Sequence, residues 1–436
     1  MTEPAAAERL ENSLRYIRDF LSVAETGSIT RSSTTIFKAS SAIARAIGEL
    51  ERGLGVGLFE RKPRGMLLNA YGEAVRNRAR RVFDEIAGAL DETTRAAKRQ
   101  AAIEQNAMTG LLLNGRSLRL LVSLSELRNL SAAAAQVGLS QAGASMALSR
   151  MESALGQPLF QRMTQGMVAT DAGALIVSRG KRILAELRHM QSDVAAIAGA
   201  MEGRVAIGAL PLGRTHLLPT AIAATLRRHP NIRVTTVESP YEALVAGLRD
   251  GDIDFIVGAL RSEERNAGLI AESLFEDRLG VIVRAGHPLV GASVSLKDLL
   301  SLRWILPRPG APGRRLIDQS FRELAIKPPV PSVETGDLAV LRGLLTRSDL
   351  LTAISPHQLR HEIESGDLVE IPVALGKTVR RIGVTSRQGA MLSPAALAVL
   401  DALRSVSAAM RSAQETAATL GEDGGARATG GEPGAR

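Results

Sequence analysis

Two predicted helices in the first half of the chain begin with short polar side chains, and each carries an arginine farther along. These residues are Ser40, Ser41 and Arg45 on the first helix, and Ser140, Gln141, Ser145 and Arg150 on the second. Arginine can bind guanine, and glutamine can bind adenine, through paired hydrogen bonds in the major groove. These side chains are therefore candidates for reading DNA bases, although a solvated helix face explains any single one of them about as well.

Each of these helices is followed by a hairpin-like stretch with basic residues. They are Arg61, Lys62 and Arg64 in the first stretch and Arg162 in the second. Basic side chains bind phosphates, which supplies affinity without base specificity. Residues 31–81 contain 11 Lys and Arg against 4 Asp and Glu, whereas residues 132–182 contain 5 against 2. We therefore expect the first segment to supply more electrostatic affinity and the second to keep more base-reading character.

Polar residues that follow predicted strands in the second half are candidates for holding a small molecule. They are Thr215, Arg308, Thr335 and Ser355. Ligands of open α/β folds lie at the carboxyl ends of strands, near helix N-termini. The loop 307–315 (PRPGAPGRR) is rigid and cationic, which favours an anionic ligand such as a carboxylate. The alternative is that these residues are ordinary loop positions or helix caps on a solvated surface.

The side chains of known catalytic and metal sites do not form a set in this sequence. The absence of cysteine excludes thiolate nucleophiles and Cys-ligated zinc. Among six histidines only His357 and His361 could share a helix face, and we interpret them as surface residues. Gly376-Lys377-Thr378 resembles the end of a phosphate loop, but Ile371 stands where that loop needs glycine. We expect no enzyme activity, cofactor or metal; the alternative is an enzyme of small-molecule metabolism fused to DNA-binding modules.

The sequence repeats itself at an offset of 101 residues. Leu58–Met66 (LFERKPRGM) returns as Leu159–Met167 (LFQRMTQGM). The same offset pairs Glu51 with Glu152, Gly72 with Gly173, Arg78 with Arg179 and Glu85 with Glu186, without a gap. Because a long ungapped match is improbable by chance, this pattern predicts a duplicated domain.

Apolar spacing and capping residues predict the elements of each copy. In the first copy they predict helices at Ser13–Glu25, Ile29–Phe37 and Ser41–Leu54. Ser28 is the expected cap of the second helix, and Gly55 the expected stop of the third. A hairpin and a long helix from Ala70 follow. The order is that of a helix-turn-helix with a wing.

The motifs in these elements resemble the N-terminal domain of LysR-type bacterial transcription regulators. Copy 1 carries them as Gly27-Ser28-Ile29-Thr30, Leu50-Glu51, Leu54-Gly55 and Leu58-Phe59-Glu60-Arg61, and copy 2 as Leu139-Ser140-Gln141-Ala142, Met151-Glu152, Leu155-Gly156 and Leu159-Phe160-Gln161-Arg162. Copy 1 departs from the family at Ser32–Ser33, and copy 2 at Arg128–Asn129. The resemblance implies a sequence-specific regulator that binds double-stranded DNA and a small-molecule effector. Two such domains in one chain are unusual for that family.

Long helices with apolar stripes follow both copies. They are predicted from Ala70 to about Gln105 and from Asp171 to about Met201. Such a helix needs a packing partner. In the family, it pairs with its counterpart from a second subunit, which implies a homo-oligomer. Here the two helices could also pair within one chain, and the sequence leaves both arrangements open.

The pattern changes after Gly203 to alternating strands and helices, which predicts α/β layers with mainly parallel sheets. Asp250-Gly251-Asp252-Ile253-Asp254 and Gly286-His287-Pro288-Leu289 resemble the family's effector-binding domain. By that resemblance, this half is two-lobed and similar to a periplasmic binding protein. Lobe one is expected at 203–283 with 380–412, and lobe two at 284–379.

The fold class expected from these features is multidomain α and α/β, with two winged helix-turn-helix domains, long linker helices and a two-lobed effector domain. The expected boundaries are 1–69, 70–108, 109–170, 171–202 and 203–412, followed by a disordered tail at 413–436. The net charge of +9 is compatible with a polyanionic partner. The sequence contains no apolar run long enough to span a membrane and no recognisable signal peptide, so we expect a cytoplasmic protein.

Overall fold

The computed structural model describes residues 10–62, 65–96, 105–261 and 267–426. The first winged unit has three helices and a hairpin: α1 (Ile17–Thr26), α2 (Ile29–Thr35), α3 (Ser40–Leu54), β1 (Phe59–Lys62) and β2 (Gly65–Leu68). The predicted helices are found within two residues of their expected ends, except that α1 begins after a 3-10 turn at Leu14–Tyr16. The Ser28 hydroxyl accepts a hydrogen bond from the Arg31 amide at 3.4 Å, and Gly55 ends α3 with φ +75°. Both predicted helix ends are confirmed.

The second winged unit repeats this order. Its elements are α6 (Gly115–Leu127), α7 (Leu130–Gln136), α8 (Gln141–Leu155), β3 (Phe160–Met163) and β4 (Gly166–Ala169). The repeated glutamates Glu51 and Glu152 make equivalent hydrogen bonds. Glu51 Oε1 accepts one from the Leu58 amide at 2.7 Å, and Glu152 Oε1 accepts one from the Leu159 amide at 2.9 Å. Each therefore ties the recognition helix of its unit to the wing.

Two linker helices follow the winged units: α4 (Ala70–Ala96) and α9 (Asp171–Ile197). Helix α4 covers the expected long helix from Ala70 as far as Ala96, and the rest of that expectation, at 97–104, lies outside the described residues. Gln105–Leu112 forms helix α5, which leads into the second unit. The two linker helices pack against each other within the chain, and one apolar core joins them to both winged units.

Two five-stranded sheets form the second half. The first has the order β6-β5-β7-β14-β8: β6 (Ile232–Val237), β5 (Gly203–Ala209), β7 (Phe255–Ala259), β14 (Arg380–Arg387) and β8 (Leu269–Asp277). The second has the order β11-β10-β12-β9-β13: β11 (Val333–Glu334), β10 (Trp304–Leu306), β12 (Leu351–Ile354), β9 (Gly280–Arg284) and β13 (Leu368–Ile371). Helices α10 (Leu217–Arg228) and α11 (Tyr241–Asp250) pack on the first sheet, and α12 (Pro312–Glu323), α13 (Leu338–Leu345) and α14 (Arg360–Glu364) accompany the second.

The expectation of mainly parallel sheets is wrong, since both sheets are mixed. In the first, β5 pairs in parallel with β6 and β7, whereas β14 is antiparallel to β7 and β8. In the second, β9 is antiparallel to both of its neighbours. The physical reason is that the chain crosses between the lobes along strands, which enter each sheet without the helical crossover that parallel pairing requires.

Two expected boundaries need correction. The strand β9 (Gly280–Arg284) belongs to the second sheet, so lobe one does not extend to residue 283. The sequence analysis missed β8, whose end at Asp277 marks the crossing. The tail expected to be disordered from residue 413 continues as helix α15 (Pro394–Ala426), because alanine and other strong helix formers occupy most of it as far as Leu420. No helix in the described ranges is long and apolar enough to span a membrane.

Candidate DNA-reading units and effector cleft

The recognition helix of the first unit presents its polar face outward. Ser40, Ser41 and Arg45 are exposed, whereas Ile43 and Ile47 on the opposite face are buried. This division follows from helical periodicity, which puts the apolar residues against α1 and leaves the polar ones for a ligand. The three predicted side chains are thus brought onto one accessible surface.

The second recognition helix is built differently at its start. The Ser140 hydroxyl accepts a hydrogen bond from the Gly143 amide at 3.1 Å, so this side chain caps α8. Gln141, Ser145 and Arg150 are exposed. Met146, which is 54% exposed, occupies the position of Arg45 in the first unit, and the sequence analysis did not single it out. The second surface is less basic than the first.

The wings are held at a fixed place beside these helices. The Met66 amide donates to the Gly27 carbonyl at 3.0 Å, and the Met167 amide donates to the Arg128 carbonyl at 2.7 Å. Arg61 and Lys62 lie on β1, and exposed Arg162 lies on β3. The candidate Arg64 lies outside the described residues.

A buried arginine joins the linker helices. The side chain of Arg78 on α4 is 0% exposed and donates from Nη1 to Glu186 at 2.9 Å and from Nε to Asp193 at 2.7 Å, both on α9. Burial alone would lower the pKa of Arg78, but these two carboxylates raise it above its ordinary value. Arg81 adds a third contact, to Glu186 at 2.7 Å.

The same set of contacts exists with the roles of the helices exchanged. Arg179 on α9 donates to Glu85 at 2.6 Å and to Glu92 at 2.5 Å on α4, and Arg182 lies 3.3 Å from Glu85. Each of these residues lies 101 positions from its counterpart in the first set, Glu92 being the counterpart of Asp193. Reciprocal contacts of this kind are those of a two-fold symmetric interface. Here both sides of that interface belong to one chain.

The effector half contacts this pair of linker helices. Arg78 donates from Nη1 to the Met391 carbonyl at 2.6 Å and from Nη2 to that of Leu392 at 3.2 Å. The acidic turn 250–254 (DGDID) binds α9 through three side-chain contacts. They are Ser178 to Asp250 at 2.6 Å, Lys181 to Asp252 at 2.7 Å and His189 to Asp254 at 2.9 Å. The sequence showed this motif but not its contact with the linker.

Thr215 and Ser355 each contact a residue at the crossing between the lobes. Buried Ser355 donates to Asp277 Oδ1 at 2.5 Å, and Arg380 donates to Asp277 Oδ2 at 2.9 Å. Thr215 lies 3.5 Å from the His357 carbonyl. A cleft of about 270 Å³ opens here, lined by Glu276, Asp277, Arg278, Pro356, His357, Glu370 and Val379.

None of the four predicted effector residues is among those that line this cleft, and Arg308 and Thr335 have no contact with the residues at the crossing that are described above. Exposed Arg308 lies in the turn before α12, and the Thr335 hydroxyl accepts from the Asp337 amide at 3.0 Å. The cationic loop is also partly neutralised, since Arg314 donates to Asp318 at 2.9 Å.

The interpretation of His357 as a surface residue is wrong. The ring is half-buried and packs edge-on against Phe275, with 5.5 Å between ring centroids. Burial lowers the pKa of His357 below its ordinary value, because it disfavours the charged ring. Within the described ranges no group of histidine and acidic residues is suited to hold a metal ion.

Comparison with known proteins agrees with this geometry. The family model "Bacterial regulatory helix-turn-helix protein, lysR family" matches residues 14–73 and again 116–174, and the LysR substrate binding domain matches 198–408. The HTH-type transcriptional regulator GalR of Pseudomonas putida is 42% identical over 393 residues, which cover 90% of this chain and 97% of that protein. The chain belongs to the LysR family of transcription regulators. It is a DNA-binding regulator with an effector-binding domain.

More distant proteins are also similar to this chain. The regulator GbpR of Azospirillum brasilense is 27% identical over 294 residues, covering 67% of this chain and 86% of that protein. The structure of a full-length OxyR variant from Pseudomonas aeruginosa matches with a TM-score of 0.52 at 22% identity, covering 66% of this chain and 97% of that one. The match therefore covers almost the whole of the OxyR structure but leaves about a third of this chain uncovered.

Proposed function

We propose that this regulator carries two DNA-reading winged units, copied within one chain and joined by their own linker helices as an internal pseudo-dimer. The reciprocal ion pairs Arg78–Glu186 and Arg179–Glu85 carry this proposal. The two matches of the family model support it. The alignment with the Pseudomonas putida regulator leaves about 43 residues of this chain uncovered, fewer than the 59 of the second match. That relative therefore aligns with parts of both units.

Each unit reads one half-site of double-stranded DNA in this proposal. The contact residues are Ser40, Ser41, Arg45, Arg61, Lys62 and Arg64 in the first unit, and Gln141, Ser145, Arg150 and Arg162 in the second, where Ser140 mainly caps the helix. The proposed domain boundaries follow the ends of the elements: 17–68, 70–96, 115–169, 171–197 and 203–426. With the linker faces already paired, the homo-oligomer that we propose forms through other surfaces. We propose that the protein acts in the cytoplasm, where DNA is accessible. Because the similar proteins are named transcriptional regulators, they favour this function over that of an enzyme.

The charge difference between the units gives a measurable asymmetry. We expect Arg61→Ala with Arg64→Ala to lower the slope of log K against log salt concentration by about two, and Arg162→Ala by about one or less, because each phosphate contact contributes about 0.9. The measurement is fluorescence anisotropy on DNA at several salt concentrations. An equal loss of slope for both variants would contradict the asymmetry.

We further propose that a small-molecule effector binds in the cleft at the crossing between the lobes. Arg278 and its ion-pair partner Glu370 line the cleft, and Thr215 and the buried Ser355 lie beside it. Since the effector half contacts α4 and α9, a ligand that favours one lobe arrangement shifts the linker helices and thereby the DNA-reading units. Calorimetry of the full chain with a panel of small polar metabolites, both anionic and cationic, tests this. Heat of binding that Thr215→Val abolishes supports it, and no binding across the panel contradicts it.

A further inference from the structure

The turn of the first helix-turn-helix exposes a large aromatic side chain. Phe37 lies between α2 and α3 and is 95% exposed. Its backbone has φ +53°, in the left-handed region that side chains with a Cβ rarely adopt. An exposed phenyl ring is unfavourable in water, and this backbone conformation adds a separate cost. Neither cost is offset by packing in the free protein.

Neighbouring contacts fix the turn in place. Lys38 donates from Nζ to Asp19 at 2.6 Å, and the Asp19 carboxylate is nearly fully buried. The Lys38 amide also donates to the Ser33 carbonyl at 3.1 Å. The residue before Lys38 is therefore presented to solvent by a rigid support.

The second unit has no such ring. Gly138 stands at the equivalent position, 101 residues on, with φ +67° and open space where a Cβ would be. Glycine is the residue that this conformation favours. The first unit thus differs from the second by a bulky apolar group at a position where glycine fits without strain.

We propose that Phe37 contacts the 5-methyl groups of thymine at the edge of the major groove. Phe37 is three residues before Ser40, and the exposed face continues through Ser41 to Arg45. The thymine methyl group is the apolar feature of the major groove, and phenylalanine is among the side chains that contact it. The charged phosphate groups of the DNA backbone provide no apolar surface for a phenyl ring to contact. This inference rests on the proposed function, in which the first recognition helix enters that groove.

The first test is Phe37→Gly in the full chain. The probe is a duplex selected by the full chain from a random-sequence pool. We expect binding about five- to tenfold weaker, the loss for withdrawing roughly half of a phenyl ring from an apolar contact. The salt slope stays unchanged because no charge is removed. The melting temperature does not fall, because glycine suits the backbone; a fall in both would make Phe37 a structural residue and overturn the inference.

A second test locates the contact. Each thymine of the probe is replaced in turn by deoxyuridine, which lacks the 5-methyl group. At one or two positions the replacement weakens binding by the wild-type chain and leaves the Phe37→Gly variant unaffected. Equal effects on both chains at every position overturn the inference.

Two controls separate this inference from the proposed function. Val330→Ala, at an apolar residue of lobe two that is 84% exposed, leaves DNA binding unchanged. Arg45→Ala weakens binding if the first unit reads DNA. If Arg45→Ala weakens binding and Phe37→Gly does not, the inference on Phe37 alone falls. If neither weakens binding, the first unit does not read DNA and both fall.

Discussion

Arg78→Ala is expected to destabilise the helical half of this regulator by about 3–5 kcal/mol. The substitution leaves the buried carboxylate of Asp193 without its guanidinium partner and leaves Glu186 only its contact with Arg81. It also removes two hydrogen bonds to the Met391 and Leu392 carbonyls. A buried charge without a partner is among the few defects that produce losses of this size. Urea denaturation followed by far-ultraviolet circular dichroism measures the effect on the helices.

The chain contains its own controls for this experiment. Trp304 is the one tryptophan and lies in lobe two, so its fluorescence transition should shift less than the helix signal. Arg179→Ala removes the symmetry-related contacts, but Glu92 is 41% exposed, and we expect a loss of about 1–2 kcal/mol. A loss for Arg78→Ala that is no larger than for Arg179→Ala would show that the buried cluster is not formed as described.

Gly173→Ala is expected to cost about 3 kcal/mol or more and to displace the second wing. A Cβ at this position would lie 1.8 Å from the Leu159 carbonyl oxygen, a backbone atom that cannot yield by changing rotamer. Gly72 has the equivalent contact with the Leu58 carbonyl oxygen, at 2.2 Å. The physical reason for the repeated glycine is thus the close approach of each linker helix to the residue that precedes the first strand of its wing. Thermal unfolding and DNA binding of the variant measure the two effects.

Gly48→Ala is the matched control for that substitution. Gly48 is within α3, and nothing lies within 4 Å of its would-be Cβ. Alanine there should stabilise the protein by about 0.5–1 kcal/mol, because glycine is a poor helix former. Destabilisation by Gly48→Ala equal to that by Gly173→Ala would indicate general sensitivity to substitution and not a local clash.

The winged units could be predicted in detail because their signals are local. Ser28, Gly55 and the apolar stripe of α3 determine helix ends and faces through contacts a few residues away. The offset of 101 residues also pairs Arg78 with Arg179 and Glu85 with Glu186 in the sequence itself. It does not show that each arginine binds the glutamate of the other copy, because that contact depends on how the helices pack.

The effector half is less predictable because its geometry depends on distant segments. The strand β8 (LIAESLFED) mixes charged and apolar residues without a regular alternation. Sequence reasoning misses it together with the antiparallel entry of β14. The turn 250–254 is recognisable as a motif. Its contact with α9 is not predictable from the motif, because it joins residues about seventy positions apart in the sequence. The position of Ser355 after a predicted strand makes it a candidate effector-binding residue. Its hydrogen bond to Asp277 could not be predicted, because it depends on how the chain crosses between the lobes.

The most direct test of the internal pseudo-dimer uses the absence of natural cysteine in the chain. Val82 and Ile183 are equivalent by the repeat, are buried, and lie midway between the two reciprocal ion-pair groups, so they should face each other at the pseudo-symmetry axis. We predict that the double variant Val82→Cys with Ile183→Cys oxidises to a disulfide within one chain, which runs as a monomer on a denaturing gel and shifts on reduction. Each single variant serves as a control and should remain unlinked. Covalent dimers from the double variant would contradict the account, because they would place the partner of each linker helix in another chain.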